Sequence, residues 1–232
     1  MTTTRFPDNL RALIIGSEGA LGQAFCELLR NQYPQGEVVG LHRRSDPALD
    51  LSSETSLQQA AASFAGQRPF DLLIYAAGVL HTADFMPEKK LAQLNQAQLQ
   101  HTLMINAIAP ALVLRYFQPL LSEQGSMAFL SAKVGSIGDN RLGGWYSYRA
   151  SKAALNMLIK TAAIEIQRSR PQQTVLALHP GTVQSRLSQP FHGGAQARPA
   201  SVAAAQLLAV ITQKGPAESG GFFSYDGSAL PW

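Results

Sequence analysis

Leu10-Arg11-Ala12-Leu13-Ile14-Ile15-Gly16-Ser17-Glu18-Gly19-Ala20-Leu21-Gly22-Gln23-Ala24-Phe25-Cys26-Glu27-Leu28-Leu29 joins three kinds of sequence in one short stretch. Residues 10–15 are a largely apolar run of the kind a buried strand needs, 16–22 carry glycine at 16, 19 and 22, and 23–29 place apolar residues at helical spacing. In a strand, glycine turn, helix arrangement, the backbone can approach a pyrophosphate and the helix amino terminus offers it unpaired N–H groups. Glycine is also the default residue of tight turns, so this stretch alone reads equally well as an ordinary strand–helix connection.

Outward from that unit, strand patterns recur at 37–42, briefly at 48–51, and at 71–75, 126–131, 174–179 and 221–225. Helical patterns fill most of the gaps; the long ones span 98–121 and 145–168, the latter ending before Pro171. Alternating strands and helices predict an α/β fold, and right-handed crossovers lead to a doubly wound Rossmann arrangement. The expectation is a seven-stranded parallel sheet with helices on both faces. Ligands bind such sheets at the carboxyl ends of the strands, where Gly16, Ala76, Ser131 and Pro180 fall.

The chain has 232 residues, 46% of them apolar, which suits a single domain over 1–232 with one sizeable core. There is no internal repeat. The opening Met1-Thr2-Thr3-Thr4-Arg5-Phe6-Pro7-Asp8 lacks a signal-peptide core, and no apolar run reads as reaching the ~20 residues a bilayer requires, so a soluble cytoplasmic protein without membrane association is expected. Cys26 is the single cysteine and sits on the apolar side of its helix, which reads as a buried thiol. A formal charge of +4 with scattered Lys and Arg gives no footprint for nucleic acid. No metal site is expected: His179 has no second ligand at metal-binding spacing.

The chemistry lies in Trp145-Tyr146-Ser147-Tyr148-Arg149-Ala150-Ser151-Lys152. Helix positions four apart share a face, so the Tyr148 phenol and the Lys152 ammonium are held side by side. A fixed cation favours the phenolate, which predicts a lowered Tyr148 pKa and a usable acid or base. No other tyrosine of the chain has lysine four residues on.

Cofactor preference is read at the end of the second strand, in His42-Arg43-Arg44. A ribose 2′-hydroxyl calls for an acidic residue there and a 2′-phosphate for cations, so NADP(H) is preferred and NAD(H) remains open. The alternative is that Arg43 and Arg44 are loop arginines paired with Asp46 or Asp50. In the helix 98–121, Pro110 cannot donate to the carbonyl of Asn106, which leaves that oxygen either to hold a water or simply to mark a kink.

Taken in order, these segments resemble the short-chain dehydrogenase/reductase family over almost the whole chain. Residues Gly16, Ser17, Glu18, Gly19, Ala20, Leu21 and Gly22 match its cofactor turn, and Asp50-Leu51 its adenine-side acidic pair. Tyr75-Ala76-Ala77-Gly78 is similar to its turn after the fourth strand, and Asn106, Tyr148 and Lys152 fall on its catalytic positions. His179-Pro180-Gly181-Thr182-Val183-Gln184-Ser185 resembles the segment closing over the nicotinamide, with Pro180, Gly181, Val183 and Ser185 as expected contacts. The stretch 131–152 and the ending 222–232 look most like the C-factor-like subgroup. The resemblance implies that Lys152 also holds the nicotinamide ribose, and that Asn106 supports a water relay to Lys152.

One position departs from the family pattern. The serine that usually polarises the substrate carbonyl falls on Ala132, leaving Ser131 as the expected replacement and Ser136 as its alternative. Residues 186–199 take the place of the substrate lid, with Phe191, Trp145 and Val79 as candidate apolar wall and His81, His192 or Arg186 as candidate polar contacts. The implied function is an NADP(H)-dependent oxidoreductase, a carbonyl reductase or alcohol dehydrogenase acting on a small-molecule carbonyl or alcohol. The alternative is a C-factor-like dinucleotide-binding signalling or regulatory protein with weak catalysis. Family likeness also implies a homodimer or homotetramer.

Overall fold

The computed structural model describes residues 5–191 and 197–232. Strand β1 (Arg11–Ile15) is buried at every position, as a central strand covered on both faces must be. Its odd-numbered residues Leu13 and Ile15 enter one core and its even-numbered Ala12 and Ile14 the other, so strand alternation divides the molecule into two apolar layers. On one face, helices α2 (Glu54–Ala62), α4 (Ala109–Phe117) and α5 (Tyr146–Ser169) supply Leu57, Val113, Phe117, Leu155 and Ile159. On the other, α1 (Ala20–Gln32) and α6 (Ala200–Gln213) supply Phe25, Leu29, Leu207 and Ile211. Cys26 is buried in this second layer, and burial pushes its thiol up.

The remaining strands are β2 (Glu37–Leu41), β3 (Phe70–Tyr75), β4 (Leu121–Leu130), β5 (Thr174–His179) and β6 (Phe222–Ser224). The sheet is parallel and ordered β2-β1-β3-β4-β5-β6. It has six strands where seven were expected. The missing one is 48–51, and its backbone donors explain why. Leu49 N–H bonds the His42 carbonyl at 2.9 Å, and Asp50 N–H bonds Ser56 Oγ at 2.9 Å. These groups close a loop onto the start of α2 instead of extending the sheet. The buried Leu49 makes the alternation real, but a loop satisfies it.

The helix expected over 98–121 is a composite of α3 (Gln96–Leu103), a π-helical turn at Met104–Ile108, and α4. Ala109 N–H reaches back to the Met104 carbonyl, so the Ile105 carbonyl loses its α-helical donor and accepts instead from Tyr75 Oη at 2.8 Å. Pro110 thus does more than release the Asn106 carbonyl: the register shift just before it ties the helix to the end of β3. Within the run Gln96–Leu120, an 18-residue window with a mean hydropathy of 1.2 is long and apolar enough, by length and composition alone, to cross a membrane. The run's inward face, including Ala109, Val113 and Phe117, packs in the core beside α5.

Candidate active site

The order of strands reverses beside β1: β2 lies on one flank and β3 on the other, and both end level with Ile15. Gly16 is held at this crevice by N–H donation to the Leu41 carbonyl at 2.9 Å, while Ala76 N–H donates to the Ile15 carbonyl at 2.8 Å. At φ +84°, Gly16 takes a conformation that disfavours side chains, and a Cβ there would lie 2.8 Å from Ala77 N. Gly22 is packed so closely under the turn that a Cβ would clash with the Gly16 carbonyl. The turn therefore delivers α1 end-on to the crevice. Its N-cap Gly19 has no side-chain cap and its first turn no acidic residue, so the N–H groups of Ala20, Leu21 and Gly22 lack intrahelical partners. These orphan donors, with the Ser17 side chain lodged against Gly40 of β2, suit an anionic dinucleotide.

The basic segment after β2 does not pair as the alternative reading had it. Arg44 bonds Glu18 of the glycine turn through both Nε, at 3.1 Å, and its terminal nitrogen, rather than Asp46 or Asp50. Glu18 is held below the usual carboxylate range, first by the Arg44 hydrogen bond and then by the charges of Arg44, His42 and Arg43. His42 Nδ1 lies 3.3 Å from Glu18 Oε1 and 3.1 Å from the Arg44 backbone nitrogen. Arg43 forms no side-chain hydrogen bond among the described residues. Asp50 is engaged locally, accepting from Ser52 N–H at 2.9 Å and Ser52 Oγ at 2.7 Å, and Leu51 packs against the core.

Tyr148 and Lys152 both lie on the buried face of α5. Lys152 Nζ donates to the Leu130 carbonyl at 2.8 Å and sits 5.8 Å from the centroid of the Tyr148 ring. Gly78 lies beside it: a Cβ there would meet Asn106 Oδ1 at 3.4 Å and Lys152 Nζ at 3.7 Å. Burial pulls the Lys152 ammonium down to about 7. Burial also pushes the Tyr148 phenol up, the opposite of the lowering expected from a neighbouring cation. Asn106 is fully buried and clamps the turn after β3, with Oδ1 accepting from Val79 N–H at 2.8 Å. Its Nδ2 donates to the Val79 carbonyl at 2.8 Å and to Ser151 Oγ at 3.0 Å. The side chain is thus structural, which leaves the backbone carbonyl for any relay.

The expected serines are turned elsewhere. Ser131 Oγ donates to Asn156 Oδ1 at 2.6 Å, behind Lys152 on α5. Ser136 Oγ donates to the Trp232 carbonyl at 3.1 Å. Ala132 instead packs with Tyr148 and Leu80 in a small apolar cluster flanked by Val134, Trp145, Leu187 and Phe191. Trp145 and Phe191 rings lie 5.1 Å apart, and Trp145 meets Tyr148 edge-on at 6.1 Å. Val79, expected in that wall, is engaged through its backbone with Asn106, whereas Leu80 joins the wall. His81 Nε2 bonds the Arg186 carbonyl at 3.1 Å, and its ring lies against Phe191.

Beyond β5, Gly181 turns at φ +69° and Val183 bridges Arg198. The Arg198 guanidinium stacks 3.3 Å from the Tyr225 ring centroid and donates to the Pro180 carbonyl, holding the turn down. Ser185 and Ser188 hydroxyls meet at 3.2 Å and fold the chain into the first part of the expected lid. His192 and the rest of 192–196 lie outside the described residues. His179, at the end of β5, is pulled down to about 4 by burial and by the charges of Lys133 and Arg198, and so stays neutral near pH 7.

Sequence reading missed Asn156, Glu88 and Arg198. Asn156 follows Lys152 at the same spacing by which Lys152 follows Tyr148, and that stripe was there to be read. Glu88 left no local signal. Its buried carboxylate accepts from Ser147 N–H at 3.2 Å and from the Ser147 hydroxyl, and its carbonyl accepts from Trp145 N–H, so it caps the first turn of α5.

A family model described as enoyl-(acyl carrier protein) reductase matches residues 38–229. The chain is 32% identical over 187 residues to 1-hydroxy-2-glutathionyl-2-methyl-3-butene dehydrogenase of Rhodococcus sp. (strain AD45), covering 81% of this chain and 80% of the other. It is 37% identical over 171 residues to C-signal of Myxococcus xanthus, covering 71% and 93%. In fold it is similar to carbonyl reductase Sniffer of D. melanogaster, with a TM-score of 0.82 at 23% identity over 97% and 99% of the two chains. The NADPH-bound carbonyl reductase from chicken fatty liver gives a TM-score of 0.82 at 22% identity, covering 96% and 98%.

Proposed function

We propose that this chain, which belongs to the short-chain dehydrogenase/reductase family of oxidoreductases, transfers hydride between a nicotinamide cofactor, NADP(H) in preference to NAD(H), and a small-molecule carbonyl or alcohol. The observation that carries this reading is the pairing of Tyr148 with Lys152, both buried, beside Gly78. A reduced nicotinamide bound at the crevice supplies the hydride. A phenol raised by burial keeps its proton at neutral pH, so Tyr148 is loaded to protonate the oxygen of a reduced carbonyl. Lys152 sits close enough to stabilise the phenolate left behind, and the Leu130 carbonyl fixes its direction. The backbone carbonyl of Asn106, lacking a donor at Pro110, offers a place for water that returns the proton.

The residues of the glycine turn, from Gly16 to Gly22, would hold the pyrophosphate. Ala76, Ala77 and Gly78 would line the crevice, and Pro180, Gly181, Val183 and Ser185 would close over it. NADP(H) preference rests on Arg43, whose side chain makes no hydrogen bond among the described residues, and on Arg44, which can leave Glu18 for a 2′-phosphate. Changing both arginines to alanine should erase a preference for NADPH over NADH in kcat/KM while leaving the NADH value nearly unchanged.

The test of the chemistry is NADPH oxidation with a carbonyl panel by wild type and Tyr148→Phe. Turnover should fall by ~10² or more in the variant while NADPH binding persists. Unchanged turnover sinks the assignment. Likeness to C-signal over nearly all of that protein favours a second reading, a dinucleotide-binding signalling protein; tight NADPH binding without turnover of any carbonyl supports it. Exposed Met157 and Ile164 on α5 and Ile108 before α4 further suit a homodimer or homotetramer, to be checked by sedimentation.

A further inference from the structure

Tyr148 packs in an apolar cluster with Leu80 and Ala132, flanked by Val134, Trp145, Leu187 and Phe191. The neighbouring polar side chains face elsewhere. Ser131 binds Asn156, Ser136 binds the Trp232 carbonyl, Ser147 binds Glu88, and Ser151 donates to the Tyr148 carbonyl at 2.8 Å. Asn106 is occupied with Val79, Lys152 with Leu130, and His81 Nε2 with Arg186. A carbonyl oxygen entering this cluster therefore meets one side-chain hydroxyl, that of Tyr148, which has no side-chain hydrogen bond among the described residues.

An oxygen that gains charge during reduction is normally steadied by more than one donor, and removing one costs ~10²–10³ in rate. A site with a single donor spares substrates that steady the charge themselves. We infer that this site takes carbonyls activated by an adjacent electron-withdrawing group and carried on a flat apolar ring, the class represented by aryl 1,2-diketones. In the step, the C=O π bond breaks and a C–H bond forms with the hydride and electron pair of NADPH. The oxygen takes the proton of Tyr148 Oη, and the products are NADP⁺ and a 2-hydroxy ketone. The neighbouring carbonyl withdraws charge from the forming alkoxide, so the missing donor matters less. The ring is received by Trp145 and Phe191, whose ring centroids lie 5.1 Å apart at the flank of this cluster.

This inference rests on the proposed dehydrogenase reading and is tested separately from it. Wild type and Ala132→Ser are compared on 1-phenyl-1,2-propanedione, acetophenone and 2,3-butanedione, with NADPH binding followed by its own fluorescence. The phenyl diketone should exceed acetophenone in kcat/KM by ~10² or more in wild type, as expected where one oxyanion donor is lacking. Ala132→Ser should narrow that ratio by ~10-fold, chiefly by raising acetophenone, because a restored donor helps the unactivated carbonyl most. Trp145→Leu should raise KM for the phenyl diketone several-fold without moving that for 2,3-butanedione, and should abolish quenching of tryptophan emission by the phenyl diketone in cofactor-free protein. Equal wild-type rates for acetophenone and the diketone overturn the inference and leave the dehydrogenase reading standing. So does an unchanged ratio in an Ala132→Ser protein of unaltered melting temperature. NADPH binding with no turnover of any of the three overturns both.

Discussion

Lys152, proposed above to support the Tyr148 phenol, sits in its place at a cost in stability. Its ammonium is pulled down to about 7 by burial, from an ordinary value of ~10.4 in the unfolded chain. Between those values the unfolded chain binds more protons than the folded one, so this group makes the fold more stable as pH rises from about 7 toward 10 and adds no slope below that window. Lys152→Met should therefore raise the melting temperature at pH 7 and flatten its rise between pH 7 and 10, measured by calorimetry. A steeper rise in the variant contradicts the assignment. The neighbouring phenol moves up by burial, so a pairing legible at helical spacing has consequences that its spacing does not reveal: sequence shows who sits beside whom, whereas desolvation depends on the sheet beneath. Ser131 makes the same point. Its place at the end of β4 was legible, but the Asn156 side chain that captures its hydroxyl comes from a different element.

At the scale of elements, α5 begins under strain. Gly143 and Gly144 at φ +62° and +63° and then Trp145 at φ 52° run through left-handed backbone, a costly conformation for a residue as bulky as tryptophan. Glu88 holds this start from outside the helix, through Trp145 N–H and both donors of Ser147, and its carboxylate suits the positive end of the helix. Glu88→Ala should cost ~1–3 kcal/mol by leaving buried donors without a partner. Glu88→Gln should recover part of it, as read by urea denaturation; full stability in the alanine variant would show that the cap carries no weight. The main strands and α5 were legible because apolar periodicity and Pro171 mark them. The missing seventh strand was not, since Ala48-Leu49-Asp50-Leu51 alternates like a strand while its N–H groups close a loop. Nor was the π-helical turn at Met104–Ile108, because Pro110 announces a lost hydrogen bond but not how the preceding turn rearranges.

For the whole molecule, the parallel sheet with helices on both faces was legible from alternation alone, and the segments that meet at the candidate site were legible in order. Which of them touch was decided by strand order. That order leaves a seam: the chain lays down β2 on one side of β1 and all later strands on the other, and at their carboxyl ends the two flanks meet through Gly16, Leu41 and Ala76. A molecule lying across the seam fastens the first βαβ unit to the rest of the fold, so the cofactor should act as a staple as well as a reagent. At a hundred times its Kd it adds ~2.7 kcal/mol, or ~5–10 °C in melting temperature for a chain of this size. Limited proteolysis should register the same event, with cuts in the turns around 42–53 suppressed by NADPH; equal digestion with and without it would mean that the seam holds without help.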